Sequence, residues 1–351
     1  MKELLENEDY IGDLDYLNSL SIWKDIEGKT ILVTGATGLI GSAIVDAIIY
    51  HNKFANSKIN VIAISRTEER IKERFCNYLL NNEFSFYAHD ISKPLNISQK
   101  IDFIIHAASN ANPKFYSEKP VDTMLGNILG ANNLLNLSIK NNSKFLYVSS
   151  GEVYGIADKK INGFDENYSG YIDFLNSRSC YPSSKRATET LCISYKQQYG
   201  IDVIIARPCH VYGVTALPND NRIHKVFMEQ ALNGDNIILK SDGKQMRSYC
   251  NVIDVVSGIL TILTKGLSGE AYNISTPNSN ISIYELASII AKQAQVDVKF
   301  DLPTNVEKKA FNPMNNAILN SNKLLNLGWN PIYNAESGIE HTMKILRKIK
   351  N

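Results

Sequence analysis

Residues 30–41 read TILVTGATGLIG: a short run of β-branched and apolar residues stops on three glycines, Gly35, Gly38 and Gly41, and leads into the helical run SAIVDAIIY. A strand that reverses this tightly into a helix forms the first βα unit of a parallel sheet. The glycines admit the turn, let backbone N–H groups approach a pyrophosphate and let helix and strand pack closely, while the helix N-terminus adds partial positive charge. Gly35, Thr37, Gly38, Leu39, Ile40 and Gly41 are therefore candidate dinucleotide-binding residues.

The rest of the chain agrees with that start. NVIAIS, FSFYAHD, IDFIIHAAS, SKFLYVSS and DVIIARP are apolar runs separated by helical stretches, including NILGANNLLNLSI and a long helix from about Pro182 to Tyr199. Buried strands alternating with helices predict a Rossmann-type, doubly wound α/β sheet. Beyond Val211 the chain turns to loops rich in Asn, Asp and Pro, with helices around HKVFMEQALN, VIDVVSGILTILTK and IYELASIIAKQAQ. We divide it into an N-terminal extension at residues 1–28, a dinucleotide-binding domain at 29–210 and a mainly substrate-binding α/β lobe at 211–351, from which the chain can cross back to the sheet.

Composition narrows the function. Lys and Arg (37) nearly balance Asp and Glu (36), so no global field draws the chain to nucleic acid or an anionic membrane. The five cysteines form no CxxC pair and the histidines show no metal-ligand spacing, which argues against a metal and suits a reducing, cytoplasmic location. The first 20 residues are acidic and unlike a signal peptide, and read as an extra helix or arm packed on the domain.

After the second strand, where an acidic residue would hold the ribose of NAD, stand Ser65 and Arg66, a pair better suited to a 2′-phosphate. That favours NADP over NAD. Asp90 and Ile91 end the third strand beside the adenine, Ala107, Ala108 and Ser109 place small groups against the cofactor, and Pro208 completes its contacts. Tyr181 and Lys185 lie four apart on one helix face, where an ammonium beside a phenol favours phenolate and so a base for a hydroxyl proton.

The combination of TGATGLIG, the SS of YVSSGEVYG and YPSSK resembles the extended short-chain dehydrogenase/reductase family that modifies nucleotide-sugars, over about Lys29 to Leu346. The resemblance implies oxidation of a sugar at C4 with bound NAD(P), chemistry on the activated ketone and frequent re-reduction. It implies Tyr181 as base, Lys185 orienting ribose and tyrosine, and Ser150 bonding the reacting hydroxyl. Glu152 follows at the place where hexose 4,6-dehydratases carry the glutamate that removes the C5 proton, but Gly151 replaces their acid, aspartate. GDP-mannose dehydratases, which manage with the glutamate, and UDP-glucuronate decarboxylases are both similar in carrying S-E there, and HAASNANPKFYSEKPVDTMLGN, SRSCYPSSKR and PNDNRIHKVF resemble the decarboxylase patterns. Pro182-Ser183-Ser184 and Ser65-Arg66 depart from that group, which uses NAD.

Arginine's planar fork suits a diphosphate, and Arg207, Arg222 and Arg247 are candidates to hold one. By resemblance Arg247 contacts the diphosphate and Asn219 and Arg222 lie in the loop over the nucleotide. Asn110, Ser150, Gly151 and Glu152 are assigned to the sugar, and Arg178 to a substrate carboxylate. The leading expectation is a lyase, a UDP-hexuronate decarboxylase or an NDP-hexose 4,6-dehydratase, with decarboxylation ahead. A C4 epimerase, a 4-keto-sugar reductase and a non-catalytic NADP-binding regulator stay as alternatives. Homodimerisation through the helices near 127–139 and 183–199 is implied by the resemblance alone.

Overall fold

The computed structural model describes residues 2–111, 113–157, 161–301 and 315–350. Seven parallel strands form the main sheet: β1 (Thr30–Thr34), β2 (Asn60–Ser65), β3 (Phe84–Ala88), β4 (Phe103–His106), β5 (Lys144–Val148), β6 (Val203–Pro208) and β10 (Ala271–Ile274). Their order is β10-β6-β5-β4-β1-β2-β3. The order reverses between β1 and β4, whose partners run from Ile31 opposite Phe103 to Thr34 opposite His106, and ligands of such sheets sit in the crevice outside the strand ends at that reversal.

Both faces of the sheet are covered, which is why its strands read as continuous apolar runs. On one face Ile31 and Val33 pack with α2 (Leu39–His51) and α8 (Val252–Lys265), and on the other Leu32 packs with α5 (Pro120–Asn141) and α6 (Cys180–Tyr199). Alternate residues of one strand thus feed two cores. Short helices α3 (Glu68–Arg74) and α4 (Pro113–Glu118) fill the connections.

A smaller α/β lobe stands over the C-terminal ends of the strands. At its centre β9 (Met246–Asn251) pairs with β7 (His210–Tyr212), β11 (Asn280–Ser282) and β13 (Asn316–Ala317), while β8 (Ile237–Leu239) pairs with β12 (Val298–Phe300). Helices α7 (Ile223–Leu232), α9 (Ile283–Ala294) and α11 (Ala335–Lys350) pack a separate core there, and α10 (Asn322–Leu325) leads back towards the sheet. The chain returns to the main sheet through α8 and β10, so the lobe's segments are interleaved with the sheet.

The N-terminal helix α1 (Glu8–Asn18) clasps the molecule. Tyr10 donates to Asp46 of α2 at 2.7 Å, and Lys344 and Lys348 of α11 reach Asp9 at 2.6 and 2.7 Å. Among the described residues no helix is long and apolar enough to cross a membrane, and no group of three His, Cys, Asp or Glu could hold a metal ion.

Candidate active site

The β1–α2 turn is built from backbone. Gly35 sits at φ +65°, and a Cβ there would fall 2.8 Å from the backbone of Ala108; a Cβ on Gly41 would fall 2.2 Å from the Gly35 carbonyl. Gly38 caps α2 without a side chain, leaving the helix N–H groups open towards the turn. Thr37 and Ser65 share a hydrogen bond of 2.8 Å, while Arg66 projects into solvent beyond them; Asp90 is held below its usual value by the Ser92 backbone and hydroxyl bonds, with smaller help from the charges of Lys93 and Arg66. Ile91 packs over Gly130, and Ser109 donates to Asn127, which donates in turn to Ser184 one turn from Tyr181. A cradle with no room for side chains, open to helix N–H groups, fits a dinucleotide pyrophosphate.

Lys185 adds a second feature that fits the cofactor. Its ammonium is buried, donates to the Val148 carbonyl at 2.8 Å and lies 4.7 Å over the Tyr147 ring. An ammonium has three donors, so hydroxyl acceptors such as a ribose supplies would complete it. Burial pushes its pKa down to about 7.

Tyr181, at the start of α6, differs from the sequence expectation in one respect. Its phenol is pushed up to about 12 by burial and then by the charge of Glu152, with the Ser150 and Tyr116 hydroxyls pulling the other way. Lys185, 5.7 Å from the ring centre, is turned to Val148 and Tyr147 and has itself lost much of its preference for charge. The Tyr181 phenol therefore keeps its proton when the crevice contains only protein.

Glu152 lies in a 3₁₀ turn, Gly151–Tyr154, whose first N–H groups are capped by Ser150: the Ser150 hydroxyl accepts from the Glu152 N–H at 3.2 Å. Its carboxylate meets Arg178, with Nη1 to Oε2 at 3.3 Å and Nη2 to Oε1 at 3.4 Å. The Arg178 guanidinium lies 4.6 Å over the Tyr116 ring, and Tyr116 stacks on Tyr181 at 4.6 Å and 21°. Burial opposes the Arg178 charge, but Glu152 outweighs it and holds the guanidinium above its ordinary value. Beside them, a Cβ on Gly151 would already meet Leu319 at 3.2 Å.

The arginines divide. Arg207 is enclosed by Glu189 at 2.6 and 3.0 Å, the Tyr154 hydroxyl and the Glu166 carbonyl, which is a structural role. Arg222 forks onto Asp220, yet its charge reaches Tyr116 and Tyr181, so it borders the same crevice, and Asn219 is exposed in the loop before it. Arg247 is buried on β9, donates to the Met246 carbonyl and feels Glu152. Pro208 ends β6, and Asn110 lies four residues beyond the end of β4.

A family model for the NAD dependent epimerase/dehydratase family matches residues 31–275, from β1 through the end of β10. The chain belongs to this family. It is 32% identical over 309 residues to UDP-glucuronic acid decarboxylase 6 of Arabidopsis thaliana, covering 88% of this chain and 86% of that protein. It is 29% identical over 322 residues to UDP-glucuronic acid decarboxylase 1 of Xenopus tropicalis, covering 91% and 72%. The crystal structure of a dTDP-glucose 4,6-dehydratase from Bacillus anthracis in complex with NAD superposes with a TM-score of 0.77 over 91% of this chain and 97% of that one; at 23% identity this is a likeness of fold.

Within the family frame, three residues escaped the sequence reading. Tyr116 stood inside the NPKFYSEKP stretch without an assigned role, and folding lays it between Arg178 and Tyr181. His210 has a buried Nδ1 without a hydrogen-bond partner and is held neutral, at about 3, by burial and the charges of Arg247 and Arg222. Tyr249, its cross-strand neighbour, has an equally unpartnered buried hydroxyl. Both lie near arginine charge, Arg247 and Arg222 for His210 and Arg247 for Tyr249.

Proposed function

We propose that this protein is a nucleotide-sugar lyase that removes CO2 from a UDP-hexuronic acid through a transient 4-ketone. The observation that carries decarboxylation over dehydration is at Gly151. Dehydratases that carry aspartate there use it to help water leave C6; glycine supplies no such acid, and a Cβ at Gly151 would crowd Leu319 at 3.2 Å. Loss of CO2 needs no such acid, because a C4 ketone lies β to the C6 carboxylate and accepts the C5–C6 electron pair as CO2 leaves. C5 then takes a proton, and Glu152 is placed to govern it. The names of the relatives support the same reading.

In this reading Tyr181 removes the C4 hydroxyl proton, Ser150 orients that hydroxyl, and Lys185 holds the ribose. Asn110 contacts the sugar, and Asn219, Arg222 and Arg247 hold the nucleotide diphosphate. A bound nicotinamide would supply a hydride acceptor and donor for C4 and a positive charge that favours phenolate at Tyr181. Gly35, Thr37, Gly38, Leu39, Ile40 and Gly41 hold its pyrophosphate, Asp90 and Ile91 its adenine, and Ala107, Ala108, Ser109 and Pro208 its nicotinamide side. For the second phosphate of NADP we assign Arg66 with Ser65, because no carboxylate ends β2 to bind a free 2′-hydroxyl. The measurement is the Kd of NADP against NAD for wild type and Arg66→Ala: a preference lost in the variant supports NADP, and an NAD preference in both overturns it. We further propose a homodimer joined along α5 and α6.

The deciding experiment incubates the protein with UDP-glucuronate, dTDP-glucose, GDP-mannose and a GDP-heptose and follows products by mass spectrometry. Loss of about 44 mass units from UDP-glucuronate supports decarboxylation. Loss of about 18 from a neutral hexose moves the assignment to dehydration. An isomer of unchanged mass means C4 epimerisation. Ser65-Arg66 also favours a 4-keto-sugar reductase, and stoichiometric consumption of NADPH would identify one.

A further inference from the structure

The sequence assigns Arg178 to a substrate carboxylate, but both of its terminal nitrogens face the two oxygens of Glu152, and its flat face rests on Tyr116. A carboxylate arriving with the sugar would have to displace that fork. Tyr116 is itself stacked on Tyr181, so one contiguous column runs from the Glu152 carboxylate through a guanidinium and a phenol ring to the phenol of the proposed base. Resting on the lyase reading above, we propose that Arg178 is a positioning residue: it fixes Glu152 relative to Tyr181 for the step at C5 and leaves the substrate carboxylate to other groups.

The geometry gives Arg178 three reasons to serve this purpose. Guanidinium is planar, so it can fork onto a carboxylate at its edge and stack on a ring with its face at once, which lysine cannot. Tyr116 and Tyr181 are buried, so the stack has little freedom and holds the fork in one place. The charge also matters: an acidic sugar brought beside a bare Glu152 would meet like-charge repulsion, and the Arg178 cation offsets it. Asn176 fixes the backbone by accepting from the Arg178 N–H at 3.0 Å, so the guanidinium is aimed by a short 3₁₀ turn as well as by the ring. The column links residues 116, 152, 178 and 181, which lie on three separate segments.

The test is a double-mutant cycle on the full-length protein: wild type, Arg178→Gln, Arg178→Lys, Glu152→Gln and Glu152→Gln with Arg178→Gln. Steady-state CO2 release, the fraction of nicotinamide standing reduced during turnover, and Kd for UDP-glucuronate and UDP-glucose are measured for each. A positioning role predicts that Arg178→Gln lowers kcat by about 100-fold, raises the reduced fraction because oxidation at C4 continues, and leaves the ratio of the two Kd values unchanged. Arg178→Lys, with charge but no fork, recovers part of the rate. The Arg178→Gln loss vanishes when Glu152 is already Gln, because the two act as one unit. Multiplied losses in the double variant overturn the proposal, as does a UDP-glucuronate affinity that falls relative to UDP-glucose, which would give Arg178 the substrate carboxylate. A wild type that releases no CO2 overturns the lyase reading and this proposal with it, whereas an active wild type with multiplied losses overturns this proposal alone.

Discussion

Lys185 is the side chain with the most to gain from a ligand. A buried ammonium with one hydrogen bond is poorly compensated, and its folded pKa of about 7 against an ordinary 10.5 has a consequence for stability. Between those values the unfolded chain binds more protons than the folded one, so stability rises with pH, by at most ~1.4 kcal/mol per pH unit for one group. Chemical denaturation of cofactor-free protein at several pH values from 7 to 9.5 should show this slope, and Lys185→Met should lack it. Equal slopes would mean that the ammonium is solvated in the free enzyme. The sequence revealed Lys185 and Tyr181 through their spacing of four, but the direction of their pKa shifts was beyond it, since burial is a property of what folds around them. The contacts of Arg178 were beyond it for the same reason: its nearness to Tyr181 is local, whereas Glu152 is 26 residues away and Tyr116 farther still.

At the scale of elements, β1–α2 was legible almost to the residue because a strand, three spaced glycines and a helix leave one solution. The N-terminal helix was legible only as a helix. Its anchor is a buried constellation in which Asp46 of α2 accepts from Tyr10 of α1, Tyr78 and Arg74 of α3. Those partners lie 28 to 36 residues from Asp46, and no motif joins them. Asp46→Ala strands a buried guanidinium and should cost about 3–5 kcal/mol in equilibrium unfolding. Replacing Asp46 and Arg74 together by apolar residues should cost less than Asp46→Ala alone, because no charge is then left without a partner. A double variant at least as damaged as Asp46→Ala would mean that shape, rather than charge, makes the anchor. Asp254, a buried carboxyl of α8, is held at about 7 by burial despite bonds from the Ile332 and Tyr333 N–H groups, and the Tyr333 hydroxyl donates in turn to Asp13 of α1. The folded pKa of Asp254 lies above its ordinary value of 3.8, so the folded state holds the extra proton between about 4 and 7 and stability falls as pH rises through that window. Asp254→Asn should flatten that fall in the same denaturation series; an unchanged pH dependence would place the titration elsewhere.

For the whole molecule the open question is assembly. Val121, Leu125 and Leu129 repeat every four residues along the outer face of α5, and Ile193 and Tyr199 lie exposed on α6 next to it. A stripe of large apolar side chains on two adjacent helices is costly to leave in water and ordinary at the centre of a helical interface. The inward faces of the same helices explain why they are kept so long: α5 carries Asn127, which joins Ser109 to Ser184, and α6 carries Tyr181 and Lys185. An interface on α5 and α6 would therefore brace the backbone that aims the reacting groups. Light scattering at micromolar concentration should find the wild type at twice the chain mass and Leu125→Glu with Leu129→Glu at the chain mass, with helical content kept. Because the substituted positions face away from the crevice, the monomer should still bind NADP, while its kcat should fall more than its affinity for UDP-glucuronate as α5 and α6 loosen. A monomeric wild type would remove the interface, and a monomeric variant with full kcat would show that the two helices hold the site without help from a partner.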